Sequence, residues 1–423
     1  MEIQELYQLY LSHPLIDTDT RAIRSKSIFF ALKGEQFNGN NFAEEALQKG
    51  ASFAVVDENH YPSNPNIVLV DNVLETLQQL ANFHRNQIKV PVISLTGSNG
   101  KTTTKELINA VLSKKFNTIA TKGNLNNHIG VPLTLLSISK DTEIAIVEMG
   151  ANHQKEIEFL CTIAEPNFGY ITNFGKAHLE GFGGVEGVIK GKSELYDFIK
   201  KTNGLVFFNS NDELQLQKTF GMKRLSFEVG KDSTIELIKA DPFVIFTYNG
   251  KTIQSQLIGS YNVNNIAAAI TIGEFFKVPQ EDIITAIENY SPSNNRSQLI
   301  KINSNTIFMD AYNANPSSMK VALENFSQVR SNLKVVILGD MFELGETSAQ
   351  EHQQIADLVS DLNFKNTYLI GNHFASVKTK YATQFHSFDD FKANFDSSTI
   401  NNANILIKGS RGMALERVLD LLK

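Results

Sequence analysis

The run Val92-Ile93-Ser94-Leu95-Thr96-Gly97-Ser98-Asn99-Gly100-Lys101-Thr102-Thr103-Thr104 constrains the fold more than any other stretch of this chain. Its first residues are apolar-biased and read as a buried strand. A tight Gly-x-x-Gly turn follows, and a lysine with a row of hydroxyls then opens a helix expected to end near Ser113. That order suits polyphosphate. Turn N–H groups can point at an anion, and the helix N-terminus adds its positive dipole end. Lys101 can reach β- and γ-phosphates, and the Thr102 hydroxyl can ligate Mg²⁺. Gly97, Ser98, Asn99, Gly100, Lys101, Thr102 and Thr103 are therefore the expected nucleotide-binding residues. The loop is shorter than the common G-x-x-x-x-G-K-[ST], because position 95 is Leu where that pattern has Gly.

A chain of 423 residues is too long for one typical domain, and roughly two to four are expected. The net charge of −6 and the lack of any Lys/Arg run argue against nucleic acid as a partner. One cysteine, Cys161, excludes an internal disulfide framework and reads as a small buried hydrophobe. Met1-Glu2-Ile3-Gln4-Glu5 has neither the basic nor the apolar region of a secretory signal. No apolar run approaches membrane-spanning length. The expectation is a cytoplasmic protein, monomeric, without stable membrane insertion.

The periodicity divides into three blocks. Strands at Ile28–Leu32, Ser52–Val56 and Ile67–Val70, with helices at Asn41–Gln48 and Val73–Arg85, form a small α/β unit. Strands Ile144–Val147, Phe168–Thr172 and Leu205–Phe208 alternate with helical stretches, which argues for a covered parallel sheet. Between Phe220 and Gln256 the texture turns β-rich, with an Asn249-Gly250 hairpin turn, and predicts an antiparallel flap; a helix Asn262–Phe275 follows. Ser291-Pro292-Ser293-Asn294-Asn295 is the candidate linker. Beyond it, strands Thr306–Met309, Val335–Leu338, Thr367–Ile370 and Ile405–Ile407 alternate with helices, and a closing helix is expected from Met413 to Leu422. The fold class is thus α/β with three domains: a small α/β domain (1–86), a central parallel-sheet P-loop ATPase domain (87–294) and a doubly wound, Rossmann-like domain (295–423).

Ligands of open parallel sheets sit beyond the carboxyl ends of the strands. Here those ends deliver Glu148, Asn173 through His178, Asp310, Gly339-Asp340 and Lys408 through Arg411. Glu148 is placed to bind the nucleotide's Mg²⁺ as a hard oxygen ligand. His178 lies among small residues, which favours an exposed role.

Thr96–Thr103, Glu148-Met149-Gly150-Ala151-Asn152-His153 and Thr172 through Gly183 together resemble the signatures of the ATP-dependent Mur ligases of peptidoglycan synthesis. Lys122 through Pro132 resembles that family's muramoyl-substrate loop. Asp310 through Pro316, Leu338 through Gly345 and Lys408-Gly409-Ser410-Arg411 resemble its C-terminal signatures, while Thr18-Asp19-Thr20-Arg21 and Phe29 through Glu35 resemble its uridine-nucleotide domain. The resemblance covers nearly the whole chain. The runs Glu148 through His153 and Asn313-Ala314-Asn315-Pro316 select the member that joins D-alanyl-D-alanine to UDP-N-acetylmuramoyl-tripeptide.

That resemblance implies roles one residue at a time. Lys101 and Thr102 would meet phosphate and Mg²⁺, with Glu148 and His178 ligating a metal pair. Lys192 matches the family lysine that is carbamylated; a carbamate offers the anionic oxygens that a bare ammonium lacks. Asn265 matches an adenine-binding position, Arg296 an inter-domain arginine near the γ-phosphate, and Asp310 a ribose-side carboxylate. Thr20, Arg21, Asn124, Asn126, Asn127, His128, Asn313 and Asn315 would bind the two other substrates. Two departures stand out: Tyr261-Asn262 where members often carry His-Asn, and Met309-Asp310 where they often carry two acidic residues. The implied chemistry is phosphorylation of the tripeptide carboxylate by ATP and attack of the dipeptide amine on the acyl phosphate. A folylpolyglutamate-synthase-like ligase would share the broad fold but leaves the N-terminal block unexplained. A nucleotide-binding protein without catalysis would have no use for Lys101, Glu148, His178 and Lys192 together.

Overall fold

The computed structural model describes residues 1–59, 64–292 and 296–423. At its centre the phosphate-loop strand Val92–Thr96 is buried along its whole length. It lies inside a six-stranded parallel sheet, between Phe168–Ile171 and Ile144–Glu148. Leu205–Asn209 and Lys223–Phe227 extend the sheet on one side, and the short strand Thr118–Ala120 closes the other. Parallel strands covered on both faces must be apolar throughout, which is why Ile93, Leu95, Ile146 and Val147 are fully buried. Helices Lys101–Leu112 and Asn262–Phe275 pack against each other on one face. The second of these is apolar nearly all round, as a helix buried between neighbours must be.

The antiparallel flap is present as strands Ile235–Ala240, Phe243–Tyr248 and Lys251–Ile258. Asn249 (φ 49°) and Gly250 (φ 76°) supply the two positive-φ residues that a tight hairpin turn needs. Lys223–Phe227, expected within the flap, pairs instead with the parallel sheet.

Toward the N-terminus, strands Ile16–Asp17, Ile28–Phe30, Phe53–Val56 and Ile67–Leu69 form a parallel four-stranded sheet. Helix Val73–Gln87 joins it to the centre. It is capped by Asn72, whose side chain accepts the Glu75 N–H at 3.0 Å. From it His84 bonds the Ile138 carbonyl (3.0 Å), and Arg85 donates to the carbonyls of Ala164 and Glu165 (2.9 Å each).

The C-terminal sheet runs Gln298–Ile302, Asn305–Asp310, Asn404–Lys408, Lys334–Gly339, Asn366–Ile370, Thr383–Phe385, with the first strand antiparallel to its neighbour and the rest parallel. The expected closing helix is broken. Two 3₁₀ turns, Arg411–Met413 and Leu415–Arg417, precede a short helix Val418–Leu421. Ala414 takes φ 47° between them, and the turn drops Leu415 into the core against Gly339 and Gly409. Three residues of the candidate linker, Ser293, Asn294 and Asn295, lie outside the described residues. No helix among the described residues is long and apolar enough to cross a membrane.

Candidate active site

The phosphate loop is clamped from both sides. Gly97 has φ 143°, and a Cβ there would fall 2.0 Å from Thr172 Oγ1; one at Gly100 (φ 80°) would fall 2.9 Å from Asn265 Oδ1. Glycine is required where the backbone approaches this closely in that conformation. Asn173, one strand over, accepts the Ser98 N–H on its carbonyl and the Asn99 N–H on Oδ1, both at 3.1 Å. Those two N–H groups therefore hold the loop's shape rather than facing an anion, contrary to the sequence-based expectation. The helix start stays available to one, because the first-turn amides of Lys101, Thr102 and Thr103 have no intrahelical acceptor. Lys101 folds back, donating to the Gly97 carbonyl at 2.6 Å. Burial lowers its pKa from the ordinary lysine value, with the nearby Glu148 charge opposing.

Glu148 ends the neighbouring strand in register with Leu95 and is 1% exposed. Its Oε1 accepts from Asn126 Nδ2 (2.8 Å) and the Thr102 hydroxyl (3.2 Å). Its Oε2 is buried with no hydrogen-bond partner among the described residues. An unpaired buried carboxylate oxygen is costly unless a cation completes it. Mg²⁺ fits that donor set: it binds through one or two protein oxygens and takes phosphate and water for the rest. No group of three or more His, Cys, Asp or Glu side chains converges among the described residues.

Lys192 is fully buried on helix Val185–Lys201, its Nζ 3.2 Å from the Ala151 carbonyl and 4.9 Å from the Phe182 ring centre. Burial, and secondly the Lys101 charge, pull its pKa well below the ordinary lysine value. His178 lines the cleft but is only 18% exposed at the side chain, and its Nδ1 is hydrogen-bonded to Glu343 of the C-terminal domain. That bond holds the Glu343 carboxyl below its ordinary pKa.

Lys101, Thr102, Glu148 and His178 open onto one cleft of about 900 Å³. Asn124, Asn126, Asn127 and His128 line one side. There Asn127 accepts the Ile129 and Gly130 N–H groups at 3.1 and 2.9 Å, shaping the segment. Asn265, Arg296 and Asp310 line another part. Asn265 accepts from Thr104 (3.1 Å) and donates to Asn262 (2.7 Å). The Arg296 guanidinium stacks 3.6 Å from the Tyr312 ring centre. Asp310 receives Lys408, a buried lysine that also reaches the Asn313 carbonyl. Asn313 and Asn315 line the C-terminal wall; Asn315 caps helix Pro316–Gln328 and donates to Asn99 Oδ1 at 2.8 Å, touching the phosphate loop from another domain.

Thr20 and Arg21 do not reach this cleft. Arg21 is turned to solvent and chelates Asp19, whose pKa falls to about 2. Lys192 lies just behind the wall. Asp340, also delivered by a strand end, is spent on the His373 and Phe374 N–H groups at 3.0 and 2.9 Å. Residues that sequence reasoning left without a role include Asn173, Lys408 and Tyr312; each stood within a quoted motif, and strand-end position was the available signal.

A chain of this build is a phosphate-loop protein with a cleft lined by its central and C-terminal domains. Three family descriptions match it in order: "Mur ligase family, catalytic domain" over 15–94, "Mur ligase middle domain" over 95–273, and "Mur ligase, glutamate ligase domain" over 295–411. The chain belongs to the Mur ligase family. Among its relatives is a UDP-N-acetylmuramoyl-tripeptide–D-alanyl-D-alanine ligase of Bacillus subtilis, 33% identical with 96% of this chain and 93% of the relative covered. Among solved structures, MurF from Acinetobacter baumannii matches with a TM-score of 0.85 at 30% identity, covering 98% of this chain and 97% of that one. MurF from Thermotoga maritima in complex with ADP matches with a TM-score of 0.84 at 26% identity, covering 97% of each.

Proposed function

We propose that this chain joins the amine of D-alanyl-D-alanine to the terminal carboxylate of UDP-N-acetylmuramoyl-tripeptide, coupled to cleavage of ATP to ADP and phosphate, in peptidoglycan precursor synthesis. The full-length relatives named for that reaction support it. The observation that carries the chemistry is the buried, unpaired Glu148 Oε2 beside Thr102 and the free first-turn amides.

In this reading the first-turn amides and Lys101 hold the ATP phosphates, Lys101 exchanging the Gly97 carbonyl for phosphate oxygen. Thr102 and Glu148 would hold Mg²⁺, with His178 and a carbamylated Lys192 at a second ion; when bound, the metal supplies neutralisation of phosphate charge. A tripeptide carboxylate oxygen attacks the γ-phosphorus and ADP leaves. The dipeptide amine then attacks the acyl carbon, and phosphate leaves with that oxygen. Arg296 steadies the transferring group, while Asn265 and Asp310 seat adenine and ribose. Little covalent work falls to the protein, so positioning and exclusion of water dominate.

The proposed division of labour gives residues 1–86, with Thr20 and Arg21, the uridine nucleotide; 87–294 the ATP; and 295–423, with Asn313 and Asn315, the dipeptide and closure. The proposed setting is the cytoplasm and the working unit a monomer. The test is a substrate screen with purified protein, ATP and Mg²⁺, read by product mass. ADP and phosphate should appear efficiently only with both substrates present; comparable release with another amino acid replacing the dipeptide contradicts the reading.

A further inference from the structure

Lys105 is a charge that the scheme above leaves unused. It sits one turn past Lys101 and is fully buried, a rare place for lysine. Its Nζ donates to the Thr121 carbonyl and pairs with Glu106 at 2.7 Å. A hydrocarbon side chain would fill the same space without desolvating an ammonium, so the bond to Thr121 needs a reason.

Thr121 supplies one. It follows the edge strand Thr118–Ala120 and opens the segment that runs through Asn124, Asn126, Asn127 and His128 to Gly130. Its hydroxyl accepts the Glu148 N–H at 2.9 Å, and five residues on Asn126 donates to Glu148 Oε1 at 2.8 Å. Backbone and carboxylate of Glu148 are thus both held by a segment whose first residue Lys105 anchors to the phosphate-binding helix.

We propose that Lys105 is a positioning residue. Acting through Thr121, it locks the phosphate helix, the metal-side carboxylate and the segment facing the second substrate into one unit. This rests on the functional reading above, since it assumes that phosphate and acceptor must be held in register. Partners standing behind a metal-binding carboxylate shape its affinity for the ion even without touching it.

The test uses the full chain with Lys105→Met, Thr121→Val and Thr121→Ser. Electron paramagnetic resonance would follow Mn²⁺ binding in the presence of a non-hydrolysable ATP analogue. Lys105→Met and Thr121→Val should weaken Mn²⁺ binding about 10- to 100-fold, and Thr121→Ser, which keeps the hydroxyl, should restore it. Wild-type Mn²⁺ affinity in Lys105→Met overturns the proposal whatever Thr121→Val does, as does slower turnover with metal and substrate saturation unchanged. If Lys105→Met does not fold, Lys105→Gln decides, since its amide is one atom shorter than lysine and gives up the reach to the Thr121 carbonyl while staying polar; wild-type Mn²⁺ affinity in that variant overturns the proposal. The metal readout judges Lys105 whichever amine is ligated; a wild-type enzyme that binds Mn²⁺ and nucleotide but forms no dipeptide product counts against the functional reading instead.

Discussion

Lys192 shows how far one side chain's surroundings can go toward explaining its chemistry. An amine buried against the Phe182 ring and the Ala151 carbonyl is disfavoured as a cation, and Lys101 adds like-charge repulsion. A neutral amine is the form that can attack carbon dioxide, so the surroundings supply the nucleophile that the proposed carbamylation would need. Lys192→Ala should lower turnover by about 100-fold or more, with partial rescue by short carboxylic acids; unchanged turnover would reject a metal role for this residue. Gly97→Ala should abolish ADP binding measured by calorimetry, because its Cβ would lie 2.0 Å from Thr172 Oγ1; retained affinity would contradict the clamped loop. That Lys101, Thr102 and Glu148 would converge was legible in the sequence, because short motifs place them at neighbouring strand ends. The bonds of Asn173 to Ser98 and Asn99, and of Thr121 to Glu148, were not, because each depends on register between distant strands.

Helices and strands were legible where one physical signal dominated. Asn262–Phe275 has the expected bounds, and the Asn249-Gly250 turn specified its hairpin. Signals failed where packing overruled local pattern. The stretch from Met413 to Leu422 has helical periodicity, yet Ala414 turns the chain so that Leu415 fills the core. Helix Val73–Gln87 carries a pH-sensitive joint. His84 is 5% exposed between Tyr7, Tyr10 and the Ile138 carbonyl, and burial lowers its pKa below 6.5. The unfolded chain then binds the proton more readily, so stability is fully present above pH 6.5 and is lost as pH falls toward the folded-state pKa. His352, buried and similarly lowered, adds to the same acid loss. The melting temperature should fall across that window, and His84→Gln should flatten the fall; an identical pH profile in the variant would contradict this account of the joint.

Between the central and C-terminal domains, contacts gather on one loop. Lys176 pairs with the buried Glu351 at 2.6 Å, its N–H meets Ser317 Oγ at 2.8 Å, and His178 meets Glu343. With Asn315 on Asn99, these bring the third domain against the phosphate loop. The Lys176 side chain is 41% exposed, so the pair contributes about 1 kcal/mol at most. Glu351→Gln should accordingly raise the dipeptide KM by a few-fold while leaving the ATP KM nearly unchanged; an unaltered dipeptide KM would show that the pair does not seat the third domain for that substrate. The order of the three blocks was legible in the chain, whereas these inter-domain bonds were not, since no local pattern encodes which loops meet. In the proposed reaction the cleft activates a peptide carboxylate by phosphorylation before the amine attacks. Placing a heavy oxygen isotope in the terminal carboxylate of UDP-N-acetylmuramoyl-tripeptide tests it most directly, with released phosphate analysed by mass. Each phosphate should carry one labelled oxygen and be released efficiently only when D-alanyl-D-alanine is present; unlabelled phosphate accompanying ligated product would rule out an acyl phosphate.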